Sequence, residues 1–121
     1  MKVLVCGGRD YQDQLQVYKV LDKIHAIKAI TTIIHGAARG ADSLAGYWAT
    51  DRNGISIKEY PADWDKYGKS AGYKRNSDML NSEKPDLVVA FPGGKGTEMM
   101  VQLAKKGNYK VLIIGKEHGT I

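Results

Sequence analysis

The sequence predicts an α/β fold: a three-layer sandwich with a five-stranded parallel sheet between helices. Three observations predict it. Short Val- and Ile-rich runs alternate with stretches of helical spacing along the whole chain, the order that builds a parallel sheet through crossover connections. Three of those runs are continuously apolar, as strands covered on both faces are. The 121 residues, 43% apolar and 26% charged, suit one domain with its own core, and residues 1–121 are read as one.

The elements follow in order. "KVLVCG" (2–7) is a strand that ends at glycine. Residues 13–28 place Leu15, Tyr18, Leu21, Ile24 and Ile27 at three-residue steps, a stripe drifting round one helix face. "TTIIHG" (31–36) is the second strand. In 42–52, Asp42 or Ser43 caps a helix that buries Leu44, Ala45, Trp48 and Ala49. "ISIKEY" (55–60) is the third strand, and a long turn leads to a helix over 70–82 that begins at Ser70 and carries Tyr73, Met79 and Leu80. "DLVVAF" (86–91) is the fourth strand. A helix over 97–107 begins at Thr97, carries Met100, Val101 and Ala104, and stops at Gly107. "KVLIIG" (110–115) is the fifth strand; with the first and fourth it is continuously apolar and expected to be covered on both faces. The closing "KEHGTI" reads as a short surface extension.

Composition narrows the function classes. Cys6 is the single cysteine, which excludes an internal disulfide framework and suits a reducing compartment. "MKVLVCGG" is too short in apolar residues for a signal segment, and no stretch approaches a membrane span, so a soluble, cytoplasmic protein without membrane contact is expected. His25, His35 and His118 lack metal-ligand spacing and there is no CxxC, so neither metal nor cofactor is expected. No serine nucleophile elbow appears. The formal charge of +5 favours anionic partners, although the lysines are scattered as on a solubilising surface.

In open α/β sheets ligands bind outside the carboxyl ends of the strands, where strand order reverses. The turns leaving those ends are "GGRDY" (7–11), "HGAARGAD" (35–42), "YPADWDKYGKS" (60–70) and "FPGGKGTE" (91–98), all with Gly or Pro beside ionisable residues. In the fourth, Pro92 is followed by Gly93, Gly94 and Gly96, which let backbone N–H groups approach a ligand, and a helix N-terminus follows that favours an anion. Lys95 adds charge, and Thr97 caps the helix or bonds a phosphate oxygen. The competing reading is a tight turn with an ordinary cap. The spacing is not that of a Walker A loop.

In the second turn, Gly36 and Gly40 bracket Ala37, Ala38 and Arg39. Arg39 is a candidate phosphate clamp; Asp42 caps its helix or takes ribose hydroxyls, with capping preferred. His35 reads as a structural histidine. In the first turn, Gly7 and Gly8 lack the spacing of a dinucleotide fingerprint. Arg9 is placed for a phosphate, with Asp10 as its alternative ion-pair partner. In the third, Trp64 either covers the core or forms a base-stacking wall among Tyr67, Lys69 and Tyr73. Of Lys74, Arg75 and Asn76, at least one turns toward the strand ends.

With these turns assembled, the chain resembles the SLOG superfamily, the Rossmann-like group that includes the Smf/DprA-like and LOG proteins, and within it the small branch related to YspA and YpsA. The resemblance rests on "GGRDY", on "HGAARGAD" and the A..WA after it, on "PADW…GK.AG..RN..M" (61–79) and on "VVAFPGGKGTEMMVQLA" (88–104), which together span almost the whole chain. It implies a Rossmann-like sheet, a crevice between the first and fourth turns, and a nucleotide-like small molecule as ligand. It also implies a homo-oligomer, to which Met79, Met99 and Met100 would contribute if they are not core. LOG proteins cleave the N-glycosidic bond of nucleoside 5′-monophosphates with the glutamate of PGGxGTxxE, and that position falls here on Met100. Glu98, two residues earlier, lies roughly 200° round the helix from it. A thioether cannot do the work of a carboxylate at a glycosidic bond.

The leading expectation is therefore a nucleotide-derivative binding protein acting as sensor, carrier or sequestering agent. A LOG-like phosphoribohydrolase using Glu98 or Asp10, with Arg75 holding substrate, is the alternative. Single-stranded DNA binding ranks last, because the basic residues form no stripe with interleaved aromatics.

Overall fold

The computed structural model describes residues 1–115, and the "KEHGTI" extension with His118 lies outside them. Five strands, β1 (Lys2–Cys6), β2 (Thr32–His35), β3 (Ser56–Glu59), β4 (Leu87–Ala90) and β5 (Val111–Ile113), form one sheet in the order β3-β2-β1-β4-β5. Every pairing is parallel. The expected α/β sandwich on a five-stranded parallel sheet is what the chain forms.

Strand alternation divides the core. Val3 and Val5 of β1, Ile33 of β2 and Val89 of β4 pack with α1 (Gln14–Ile27) and α2 (Ala41–Thr50), where Leu21 and Trp48 meet them. Leu4, Cys6, Ile34, Val88 and Ala90 pack on the other face with α4 (Ala71–Glu83) and α5 (Lys95–Lys106), against Met79, Leu80, Met100 and Ala104. Trp48 is fully buried yet satisfied, because its Nε1–H donates to Asp22 Oδ1 at 2.9 Å. Between β3 and α4, one turn of helix, α3 (Trp64–Tyr67), and a 3-10 turn (Gly68–Ser70) make up the long third connection.

Several elements depart from the expected pattern. The buried face of α1 is Val17, Leu21 and Ile24, while Leu15 and Ile27 are 85% and 88% exposed. A three-residue step falls about 60° short of a full turn each time, so a stripe built on it leaves the face at both ends. The apolar β5 is an edge strand with Leu112 and Ile113 exposed, and β2 takes the interior place instead. α5 starts at Lys95 behind Gly94, two residues before Thr97, which draws Gly96 and Thr97 into its first turn. α2 starts at Ala41 behind Gly40, without a side-chain cap, so neither Asp42 nor Ser43 fills that role. No helix among the described residues is long and apolar enough to cross a membrane.

Candidate functional site

From β1 the chain moves outward to β2 and β3, then returns to the other side of β1 as β4. The carboxyl ends of β1 and β4 therefore flank the point where strand order reverses. The turns after β1, β2 and β4 meet there and are joined through one residue. The Gly8 N–H donates to the Pro92 carbonyl at 2.9 Å, and the Gly8 carbonyl accepts from the N–H groups of Ala41 and Tyr11 at 3.2 and 3.3 Å.

This junction explains two of the glycines. Gly40 has φ 79°, and a Cβ there would overlap the Gly8 carbonyl oxygen. A Cβ on Gly93 would sit 2.6 Å from the Gly8 nitrogen and overlap the Thr97 hydroxyl. Gly94 and Gly96 differ, since a Cβ on either would meet nothing within 4 Å. The first pair serves chain packing; the second opens the α5 N-terminus to whatever enters the space beside it.

That space is a cleft of about 450 Å³. Gly7, Gly8 and Arg9 line it from the first turn, Asp42 from α2, Trp64 from α3, Arg75 and Asn76 from α4, Gly94 from the turn before α5, and Gly96 and Thr97 from α5. A second cleft of about 320 Å³ adjoins it, lined by Gly36, Ala37, Arg39, Pro61 and Ala62, and shares Arg9, Ala38, Trp64 and Arg75 with the first. Trp64 is 49% exposed, with the Arg9 guanidinium carbon 5.6 Å from its ring centre. It stands at the boundary of the two clefts and does not cover the core.

Other residues named from the sequence lie elsewhere. Gly40, Pro92, Gly93, Lys95 and Glu98 line neither cleft. Arg39 is largely exposed and pairs with Asp10 at 3.0 Å; Asp10 is thus the partner of Arg39 and not of Arg9. His35 is buried, accepts the Ala37 N–H on Nδ1 at 3.0 Å and has Nε2 3.6 Å from Glu59; burial pushes its pKa down, as suits a structural histidine. Met100 is fully buried in the core beneath α5.

The cleft's polar chemistry centres on Asp42, the only carboxylate among the described residues that line either cleft. Its Oδ2 accepts the N–H groups of Gly36 and Ala38 at 3.1 and 3.3 Å. Burial pushes its pKa up to about 6, opposed by the Ala38 N–H and by Arg75. Arg75 donates through Nη1 to the Gly36 carbonyl at 2.6 Å and through Nε to Asn76 Oδ1 at 2.9 Å. Asn76 is 6% exposed and reaches the Gly96 carbonyl at 3.4 Å. Two neighbours on α4 thus brace the turns after β2 and β4.

The site residues expected from sequence leave out Val5, Cys6, Ala38, Gly72, Met79 and Met99, which also line the first cleft, and do not include Lys69 and Tyr73. Cys6 ends β1 at the crevice, which was the available signal; Lys69 and Tyr73 belong to the long connection already marked by its aromatics. Burial pushes the Cys6 thiol up to about 12, so it stays protonated. Among the described residues no group of three or more His, Cys, Asp or Glu side chains could hold a metal ion.

Comparison with known proteins agrees with this architecture. A family model described as YAcAr, the YspA, cpYpsA-related SLOG family, matches residues 1–67. The chain is also similar to the "Gene 61 protein" of Mycobacterium phage D29, 34% identical over 121 aligned residues that cover 94% of this chain and 96% of that protein.

Proposed function

The chain belongs to the YspA, cpYpsA-related SLOG family, and from that premise we propose that it binds a nucleotide or nucleotide-derived small molecule, as a sensor, carrier or sequestering protein. The observation that carries this reading is the cleft at the strand-order reversal. There the open backbone of Gly94 and Gly96 at the α5 N-terminus, with Arg9 and Lys69, offers an anion site in the same space as a buried carboxylate. Trp64 and Tyr73 supply half-exposed aromatic faces beside it.

Binding is favoured over N-glycosidic hydrolysis because the position of the LOG glutamate, Met100, is fully buried in the core, and Glu98 is exposed and lines neither cleft. Asp10 is 91% exposed at its side chain and engaged with Arg39. Nucleic acid remains the lesser partner. The reading includes a reducing cytoplasmic setting, in keeping with the one buried thiol, and a homo-oligomer, in keeping with exposed Leu112 and Ile113 on the β5 edge.

Calorimetric titration with AMP, GMP, ADP-ribose and cyclic nucleotides tests the proposal. Saturable binding of at least one is expected, and a folded protein that binds none of them overturns it. Chromatography after incubation with AMP is expected to show no free adenine.

A further inference from the structure

We propose that Asp42 is the group that reads the ligand's sugar: its outward carboxylate oxygen accepts from the vicinal hydroxyls of a ribose whose phosphate lies at the α5 N-terminus. This rests on the nucleotide-binding reading above and narrows it to ribose phosphates.

The argument begins with how the carboxylate is held. Both backbone N–H contacts, from Gly36 and Ala38, fall on Oδ2; Oδ1 accepts no hydrogen bond among the described residues. Asp42 is 6% exposed, and what exposure it has is into the cleft. No Lys, Arg or His approaches it within ion-pair distance among the described residues, although Arg75 and Arg9 lie near enough to oppose the rise in its pKa. No buried side-chain oxygen among the described residues lacks a partner, so Oδ1 is the oxygen open to the cleft, and a ligand that displaces solvent there has to bring a donor of its own.

The chemistry of a ligand that takes that place is constrained. A phosphate oxygen beside Asp42 would meet like charge, so the anion belongs at the other feature of the same cleft, the open turn of Gly94 and Gly96 at the start of the twelve-residue α5. The ligand then carries an anion and a neutral hydrogen-bond donor a short distance apart, with an apolar or aromatic part for Trp64 and Tyr73. A nucleoside monophosphate has that order of groups, and its 2′- and 3′-hydroxyls are the donors that lie between phosphate and base.

The test titrates the unmodified protein with AMP, 2′,3′-dideoxy-AMP and IMP, with and without EDTA. AMP is the minimal probe, with one phosphate and one ribose. Loss of both hydroxyls is expected to weaken binding roughly ten- to hundred-fold, the range for hydrogen bonds to a charged group. IMP, which lacks the exocyclic amine, is expected to match AMP, and EDTA to change nothing. The Asp42→Asn variant is expected to bind AMP and dideoxy-AMP alike. The ratio of the two affinities in the wild-type protein should shrink as pH falls through about 6, where Asp42 protonates; the phosphate titrates alike in both ligands and cancels. The charged and titratable groups facing Asp42 are Arg75, Arg9 and Cys6; the guanidiniums stay charged and the thiol stays protonated through that window, so only Asp42 changes charge.

Equal affinity for AMP and dideoxy-AMP overturns the inference while leaving nucleotide binding intact. So does loss of affinity for IMP alone, which would place the base amine at Asp42, and so does a requirement for a divalent cation. Failure of AMP while another nucleotide binds also overturns it, since the minimal ribose phosphate would then not suffice. Failure of every nucleotide overturns the underlying reading together with it.

Discussion

Asp42 and Arg75 hold opposite polar groups of one residue: Oδ2 of Asp42 accepts the Gly36 N–H at 3.1 Å, and Nη1 of Arg75 donates to the Gly36 carbonyl at 2.6 Å. The acid comes from α2 and the base from α4, so the turn after β2 is clamped from both faces of the sheet. The two charges approach without forming an ion pair of their own.

Arg75→Ala is expected to cost about 1–3 kcal/mol, because it leaves the Gly36 carbonyl and Asn76 Oδ1 without their donor. Arg75→Lys should recover only part of this, since an ammonium cannot span two acceptors as the guanidinium does. Urea denaturation of the three proteins provides the measure. A lysine variant as stable as wild type would show that charge alone matters there.

Asp42 is predicted to reduce stability at neutral pH. Its pKa rises from 3.8 to about 6 on folding, so the folded state holds a proton that the unfolded chain has released. The stability associated with that proton is complete below pH 3.8 and is lost as pH rises through about 6, a difference of up to about 3 kcal/mol. Asp42→Asn should therefore melt higher than wild type at pH 7.5 and about equally at pH 4. Thermal melts across that range that stay parallel would contradict the assignment.

The two kinds of glycine in the fourth turn should separate on substitution. Gly93→Ala places a methyl against the Gly8 nitrogen and the Thr97 hydroxyl, with an expected loss of about 1–3 kcal/mol. Gly94→Ala meets open space and should cost less than about 1 kcal/mol, chiefly through its N-cap position. Its effect should appear in nucleotide titration, as weaker binding. Matching melting temperatures for the two variants would argue against this division.

Glu98 is an exposed first-turn acid of α5 and should contribute only its helix-dipole interaction, about 0.3–1 kcal/mol. Glu98→Gln is expected to leave nucleotide affinity unchanged. Met100→Glu, by contrast, would bury a carboxylate in the core and should cost more than about 3 kcal/mol without creating N-glycosidase activity. Denaturation and an adenine-release assay distinguish these outcomes.

Much of the architecture was legible because strand runs and turns are local signals. The apolar runs at 2–7, 31–36, 55–60, 86–91 and 110–115 each contain an observed strand. Strand order was less accessible: β5 looked like an interior strand because its composition does not say that it lies at an edge, and β2 looked less apolar than its place requires. The glycines and arginines that mark the turns in the sequence include Gly7, Gly8, Arg9, Gly94 and Gly96 of the first cleft, but also Gly40 and Gly93, which line neither. The lining roles of Cys6 and Met99 are not legible in the sequence, since they depend on which way one strand end and one helical turn face. The position of Asp42 near a helix start favours a cap over a ribose contact, yet α2 begins one residue before it, and its side chain turns back to the preceding loop instead.

The bonds at Gly8 have an entropic consequence. With its N–H on Pro92 and its carbonyl shared by Ala41 and Tyr11, this one residue ties three loops into a single pre-organised frame before any ligand arrives. Fixing a loop residue on association costs roughly 1–2 kcal/mol each, and that cost is already met here by folding. A small ligand can then be held by a handful of contacts, and a change at Gly8 should show itself as slower association as much as lost affinity, because the frame would have to assemble around each arriving molecule.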